Sequence, residues 1–170
     1  MKSHFPRGPL LATCLAILAG CLSPVALHAV PEAEWKKAAD NKIFAQLLVN
    51  EIMAQNPDLL FAGIHAAGPG PTGFQIIACN VDRVGKDDDE GDLPVEVEGR
   101  SVLFPHPTES RLSSMLPLRD TEGHLIGALA IVFKYRPGDD ETKLFLRIAG
   151  MRDRIQKRIP NAAALTKSVP

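Results

Sequence analysis

The feature that most limits the fold of this chain is the stretch LPLRDTEGHLIGALAIVFKY, residues 116–135. Two apolar runs flank a polar turn, in which Asp120 can accept hydrogen bonds from amides further along the chain and Gly123 can adopt a positive φ angle. Gly127 interrupts the second run, and a glycine inside a strand indicates a bulge or the close approach of another backbone segment. The pattern therefore predicts an antiparallel hairpin.

The second strand of this hairpin, predicted over 125–135, is almost continuously apolar instead of alternating. Such a run indicates a strand that is covered on both faces. Two amphipathic helices can supply at least one cover: a long one predicted over 31–56, which ends before Pro57, and a C-terminal one predicted over 139–159, which ends at Pro160. We therefore expect the hairpin to lie inside a sheet.

The remaining elements complete an α+β chain. Strands are predicted over 59–66 and 73–81, and the first hairpin strand over 111–118. The polar segment after residue 81 contains Val95 and Val97, which fit either a short strand or a short helix. Strands framed by helices indicate an antiparallel α+β fold and not a doubly wound one.

The chain begins with basic residues and a short apolar core, which is typical of a bacterial secretory signal. The core is too short for a membrane helix, which needs ~20 apolar residues. We predict a signal peptide over 1–29 with cleavage after Ala29, a periplasmic domain over 30–160 and a frayed, flexible tail over 161–170. The alternative is the lipobox-like sequence LAGC, which would anchor the protein by a lipid on Cys21.

The charge balance and the number of cysteines bear on the class of partner and on the possibility of a disulfide. Of the 19 basic residues, Lys2 and Arg7 lie in the leader, which leaves 17 against 20 acidic ones and a net charge of −3. This balance favours neither nucleic acid nor an anionic membrane surface as a partner. Cys79 is the one cysteine beyond the leader, so no internal disulfide is expected, and its apolar surroundings indicate a buried residue.

Catalytic and metal sites are not predicted by the sequence. The acidic run 87–92 lacks the glycine and glutamate spacing of a calcium loop and is interpreted as a solvated loop or the start of a helix. His65 and Cys79 could meet if the first two strands pair, with His106 nearby, but their spacing matches no known ligand pattern. The serines near His106 lack a nucleophile motif. We therefore predict no enzyme activity, no metal and no cofactor.

The turn residues Asp120, Gly123 and Gly127 form a pattern, Asp-x-x-Gly-x-x-x-Gly before an apolar strand, that resembles the last hairpin of PAS-like and single Cache sensor domains. The long leading helix is also similar to that of Cache domains. The resemblance implies a small-ligand-binding sensor fold with a pocket between sheet and loops. Ligands of such domains include amino acids, carboxylates and amines.

In such a fold the loop after the second strand lines the pocket. The resemblance therefore makes Arg83 and Arg111 candidates for binding a ligand carboxylate, with His65 and Cys79 nearby, although charges facing solvent are the alternative. No transmembrane helix or signalling region follows the hairpin, so we expect action through a separate partner, either a membrane receptor or a second copy. The rival hypothesis is a structural or accessory protein without a pocket, which docks or dimerises through its N-terminal helix.

Overall fold

The computed structural model of the protein describes residues 42–170. The predicted signal peptide, Cys21 and the first part of the predicted long helix lie outside this range. Among the described residues, no helix is long and apolar enough to cross a membrane.

Five antiparallel strands form one sheet, and its order is β2-β1-β5-β4-β3. The strands are β1 (Leu59–Ala67), β2 (Phe74–Cys79), β3 (Val102–His106), β4 (Arg111–Arg119) and β5 (Leu125–Lys134). Strand β5 is central and pairs with β1 on one side and β4 on the other. The predicted α+β class and the inner position of the hairpin are therefore confirmed.

One face of the sheet carries the main hydrophobic core, against helices α1 (Phe44–Gln55) and α3 (Glu141–Gln156). Asp140 is the N-cap of helix α3, and its carboxylate accepts a hydrogen bond from the amide of Lys143 at 2.9 Å. Apolar side chains at helical spacing on α1 and α3 pack against the strand residues that point to this face. The cluster includes Leu48, Ile52, Ile148 and Met151 from the helices and Ile64, Leu129 and Ile131 from the sheet.

The other face is covered by the segment between β2 and β3. It contains the short helix α2 (Leu93–Glu96), so Val95 lies in a helix and not in a strand. Val95 is fully buried against Met115 and Ala128 of the sheet. The apolar character of β5 thus has its expected cause: helices shield one face, and the connecting segment shields the other.

Two expectations need correction. Strand β3 is absent from the predicted elements; it contains Pro105, and the structure places it at the edge of the sheet, where proline is tolerated. The predicted frayed tail is wrong. Residues Ala162–Thr166 form a 3₁₀ helix, Leu165 is fully buried, and Ile43 pairs with Ser168 beside the start of α1.

The hairpin turn matches its prediction. Asp120 Oδ1 accepts hydrogen bonds from the amides of Glu122 at 3.0 Å and His124 at 2.9 Å, and Gly123 has a φ of +91°. Gly127 lies against the backbone of His65, which is the close approach that a glycine in this strand indicated.

Candidate functional site

A cavity of about 170 Å³ lies between the sheet and the segment that covers it. Its floor consists of apolar side chains on the face of the sheet opposite the main core. They belong mostly to β1, β2, β4 and β5, and they are Phe61, Ile76, Val81, Met115, Ala130 and Val132. The strand pairing explains why they share one face, since Phe61 pairs with Val132 and Ala130 with Met115. The cavity can therefore receive the apolar part of a small molecule.

Basic and acidic side chains also line this cavity. The basic ones are Arg83, Lys86 and Arg111. The acidic ones come from the loop predicted to be solvated, and they are Asp87, Asp88, Asp89 and Asp92. Asp88 has an exposed fraction of 6%, so that prediction is wrong for this residue. The loop turns inward because it covers the sheet.

Arg111 begins β4 and is buried, with an exposed fraction of 4%. It forms an ion pair with Glu109. Burial lowers the pKa of Arg111, and the positive charge of Arg83 lowers it further. Burial, followed by the charge of Arg111, also lowers the pKa of His106. Two of the predicted ligand-binding residues, Arg83 and Arg111, thus line the same cavity, where Arg111 already has one carboxylate partner.

His65, the third predicted residue, lies on β1 and also lines the cavity. Its Nδ1 is 2.8 Å from Oδ1 of Asp88 and 4.0 Å from Oε1 of Glu96. All three residues are buried. Burial raises the pKa of Glu96 to about 10, with the adjacent Asp88 and then the charge of Asp92 adding to the shift. Burial likewise raises the pKa of Asp92. Glu96 is therefore protonated and neutral at pH 7 when no other cation is bound beside it.

Cys79, the fourth predicted residue, is not among the residues that line the cavity. Strands β1 and β2 do pair, but Cys79 stands opposite Gly63 and not opposite His65. Its thiol lies 3.0 Å from the carbonyl oxygen of Val81, and burial raises its pKa. The structure therefore gives Cys79 the role of a buried core residue. The turn residues Asp120, Gly123 and Gly127 are not cavity-lining either.

Sequence reasoning missed Asp88 and Glu96 as partners of His65. Asp88 is 23 positions from His65, in irregular structure, and no ligand motif connects the two. The one available signal was the acidic run itself, which stands between two apolar segments and was assigned to solvent.

Comparisons with known proteins bear on the fold. No protein-family model matches the chain, and no curated protein matches it by sequence. Among solved structures, a type II free methionine-R-sulfoxide reductase from Thermoplasma acidophilum is similar at 15% identity, over 71% of this chain and 93% of that one, with a TM-score of 0.50. The nlh2 GAF domain of A. aeolicus, solved in an inactive state, is similar at 14% identity, over 67% of this chain and 86% of that one, with a TM-score of 0.50.

The fold is GAF-like. The expected PAS-like fold is thereby confirmed at the coarse level that GAF and PAS-like domains share, whereas membership of the narrower Cache family stays a prediction. A third structure, the inducer-binding domain of the PobR transcription factor from Acinetobacter with 3-hydroxybenzoic acid, overlaps at a TM-score of 0.45, with 12% identity over 72% of this chain and 99% of that one. The first of these structures is described as an enzyme, so the shared fold does not by itself define a role.

Proposed function

We propose that this protein binds a small organic acid or amino acid in the cavity beneath the loop and acts as a sensory module, without catalysis. The observation that carries the proposal is the composition of one cavity: an apolar floor, with Arg83 and Arg111 among the residues that line it. A planar guanidinium is well shaped for a carboxylate, and the apolar floor suits the rest of such a ligand.

The cavity size supports a small ligand. A volume of about 170 Å³ is close to the ~150 Å³ cavity that accepts a benzene-sized molecule, and below the ~300 Å³ at which drug-sized pockets begin. The acidic loop residues near the same space, such as Asp89, offer a partner for an ammonium group. An amino acid with an apolar side chain therefore satisfies both kinds of charge, and a simple carboxylate satisfies one.

A thermal-shift screen of amino acids and organic acids, run on EDTA-treated protein, tests this proposal. We expect at least one compound to raise the melting temperature, because a ligand that binds the folded state stabilises it. Arg83→Gln should abolish this shift. Arg100→Gln is the matched control, since Arg100 is exposed, pairs with Glu98 and does not line the cavity. A library without any stabilising compound, for protein that is folded by circular dichroism, would contradict the proposal.

The existence of a cavity supports ligand binding over the alternative of an accessory protein without a pocket. Enzymatic reduction is the other alternative, since one structural neighbour is a sulfoxide reductase. A nucleophilic cysteine needs an accessible thiolate, whereas the Cys79 thiol is buried and its pKa is raised. We expect no turnover of free methionine sulfoxide with a thiol reductant. Turnover that Cys79→Ser removes would establish the enzyme and overturn the sensory assignment.

The proposal also includes where the protein acts and which kind of partner receives its signal. We infer that the protein reaches the periplasm after cleavage behind Ala29 and signals through a separate receptor or a second copy of itself. N-terminal sequencing of the protein recovered from the periplasm should begin at Val30. Palmitate incorporation that depends on Cys21 would instead establish the lipid-anchored form.

A further inference from the structure

Three residues that are distant in sequence meet at one side of the cavity. His65 comes from β1, Asp88 from the covering loop and Glu96 from the last turn of α2. Their exposed fractions are 6%, 6% and 3%. One ligand-type atom from each, a histidine nitrogen or a carboxylate oxygen, lies within 4.8 Å of the other two.

Several polar atoms of this group lack hydrogen-bond partners within the described residues: His65 Nε2, Asp88 Oδ2 and both carboxyl oxygens of Glu96. Burying a polar atom without a partner costs roughly 1–3 kcal/mol, and buried polar groups in folded proteins are nearly always satisfied. His65 Nε2 is the clearest case, because the imidazole is buried at the wall of the cavity. Glu96 is also almost fully buried, with Oε1 4.0 Å from His65 Nδ1. These unpartnered polar atoms therefore indicate a site in which a bound ligand supplies the missing partners.

We propose that His65, Asp88 and Glu96 bind a divalent transition-metal ion, with Zn²⁺ as the best fit. The proposal goes beyond ligand sensing, because it needs no organic molecule. Imidazole and carboxylate together suit zinc and its first-row neighbours. Calcium is disfavoured, since it takes ~6–8 oxygen ligands and this group contains a nitrogen and two carboxylates.

The distances are close to those around a shared ion. Tetrahedral zinc with bonds of ~2.0–2.2 Å separates two of its ligand atoms by about 3.3–3.6 Å. The separations from His65 Nδ1, 2.8 Å to Asp88 Oδ1 and 4.0 Å to Glu96 Oε1, lie on either side of this spacing. Small side-chain shifts would place the three atoms around one ion, which would replace the proton of the hydrogen bond between His65 and Asp88. Charge also agrees, because a divalent cation balances two buried carboxylates and removes the cost of burying them as anions.

An ion held by this group would lie beside the cavity, because His65 and Asp88 both line that cavity. Three protein ligands leave a tetrahedral ion with one open coordination position, which water or a small donor molecule can occupy. A metal held here would therefore lie at the wall of the cavity and not in a closed structural site.

Calorimetric titration with Zn²⁺ tests the site, using full-length mature protein that carries no histidine tag and has been treated with EDTA. We expect saturable binding of one Zn²⁺ per chain. Asp88→Asn and Glu96→Gln should each weaken it by about 100-fold or more, since losing even an outer partner of a metal ligand costs ~10–100-fold. Glu90→Gln is the matched control, because Glu90 lies in the same loop but is exposed and outside the group. The Zn²⁺ affinity of this variant should match that of the unaltered protein.

A second measurement on the unaltered protein avoids any effect of substitutions on folding. Imidazole ¹⁵N spectra should show a large Zn²⁺-dependent shift for His65 and none for the exposed His124. Absence of saturable binding, unchanged affinity in both variants, or an unshifted His65 ring would each overturn the proposal. Because the titration uses Zn²⁺ alone and the organic screen uses EDTA, each of the two proposals can fail while the other stands.

Discussion

Gly127 brings strand β5 so close to His65 that a Cβ atom at position 127 would lie 2.0 Å from the His65 carbonyl oxygen. Gly127 also has a φ of +146°, a conformation that other residues rarely adopt. A turn-pattern glycine, which lines no cavity itself, thus fixes the backbone that carries the histidine of the candidate site.

Replacing this glycine should be costly. We expect Gly127→Ala to lower the free energy of unfolding by about 3 kcal/mol, because both the backbone contact and the positive φ must be accommodated. Gly123→Ala is the control: it also requires a positive φ, yet nothing lies within 4 Å of its Cβ position. Its cost should be about 1 kcal/mol. Urea unfolding of both variants measures the difference, and equal losses would contradict the role of the His65 contact.

The buried Glu96 should make metal-free protein less stable as pH rises. Its folded-state pKa is raised from 4.5 to about 10, so the unfolded chain loses its proton first. Its contribution is full below pH 4.5 and is lost progressively from there to about pH 10, at up to ~1.4 kcal/mol per pH unit. Asp88, Asp92 and His65 surround Glu96, so the measurement must isolate this one carboxyl.

Glu96→Gln provides that isolation, because it keeps the shape and removes the titration. We expect the stability of this variant relative to the unaltered protein to increase with pH across the window, as measured by urea unfolding in EDTA. Glu98→Gln, at an exposed site paired with Arg100, should show no such trend. A Glu96→Gln difference that is independent of pH would mean that this carboxyl is not held neutral by burial.

Arg147 joins α3 to the loop before β1. Its guanidinium contacts both carboxylate oxygens of Asp58, at 2.5 and 2.6 Å, and lies 5.0 Å from the centre of the Phe133 ring. The hydrogen bonds to Arg147 lower the pKa of Asp58. Because the pair is partly exposed and screened by solvent, Arg147→Ala should cost about 1 kcal/mol, more in low salt than in high salt. Arg154→Ala, at an exposed position on the same helix, should be near neutral in the same unfolding experiment.

The C-terminal segment should contribute to stability. Leu165 is fully buried in the main core, and the amide of Phe44 donates to the carbonyl oxygen of Lys167 at 2.9 Å. Leu165→Ala should therefore lower the free energy of unfolding by ~2–5 kcal/mol. Thr166→Ala, next to it but exposed, is the control. Thermal melts that respond equally to both substitutions would indicate that the tail does not pack as described.

The sequence predicted the part of the fold that local pattern determines. The hairpin, its turn chemistry and its place inside the sheet follow from Asp120, Gly123 and the apolar run of β5, because each acts on its own neighbours. The tail was missed since the burial of Leu165 depends on α1, which is more than a hundred residues away. Strand β3 was missed because its proline is acceptable only at an edge, and pattern alone does not identify edges.

The sequence indicated part of the candidate site. Arg83, Arg111 and His65 line the cavity, because strand ends and the following loop are fixed once the sheet is known, and their binding of a ligand stays a prediction. Asp88 and Glu96 could not be foreseen, since the path of an irregular loop over a sheet has no periodic signature. The sequence shows the negative charge of the acidic run, but the burial of that run depends on the tertiary structure.

The division of the cavity between sheet and loop has an evolutionary consequence. Most of its charged groups belong to the segment joining β2 to β3, while the main core lies on the opposite face of the sheet. Exchange of that one segment would alter what the molecule recognises and leave the packing of α1 and α3 untouched. New specificities are thus reachable by changes in the covering segment that leave the main core on the opposite face intact.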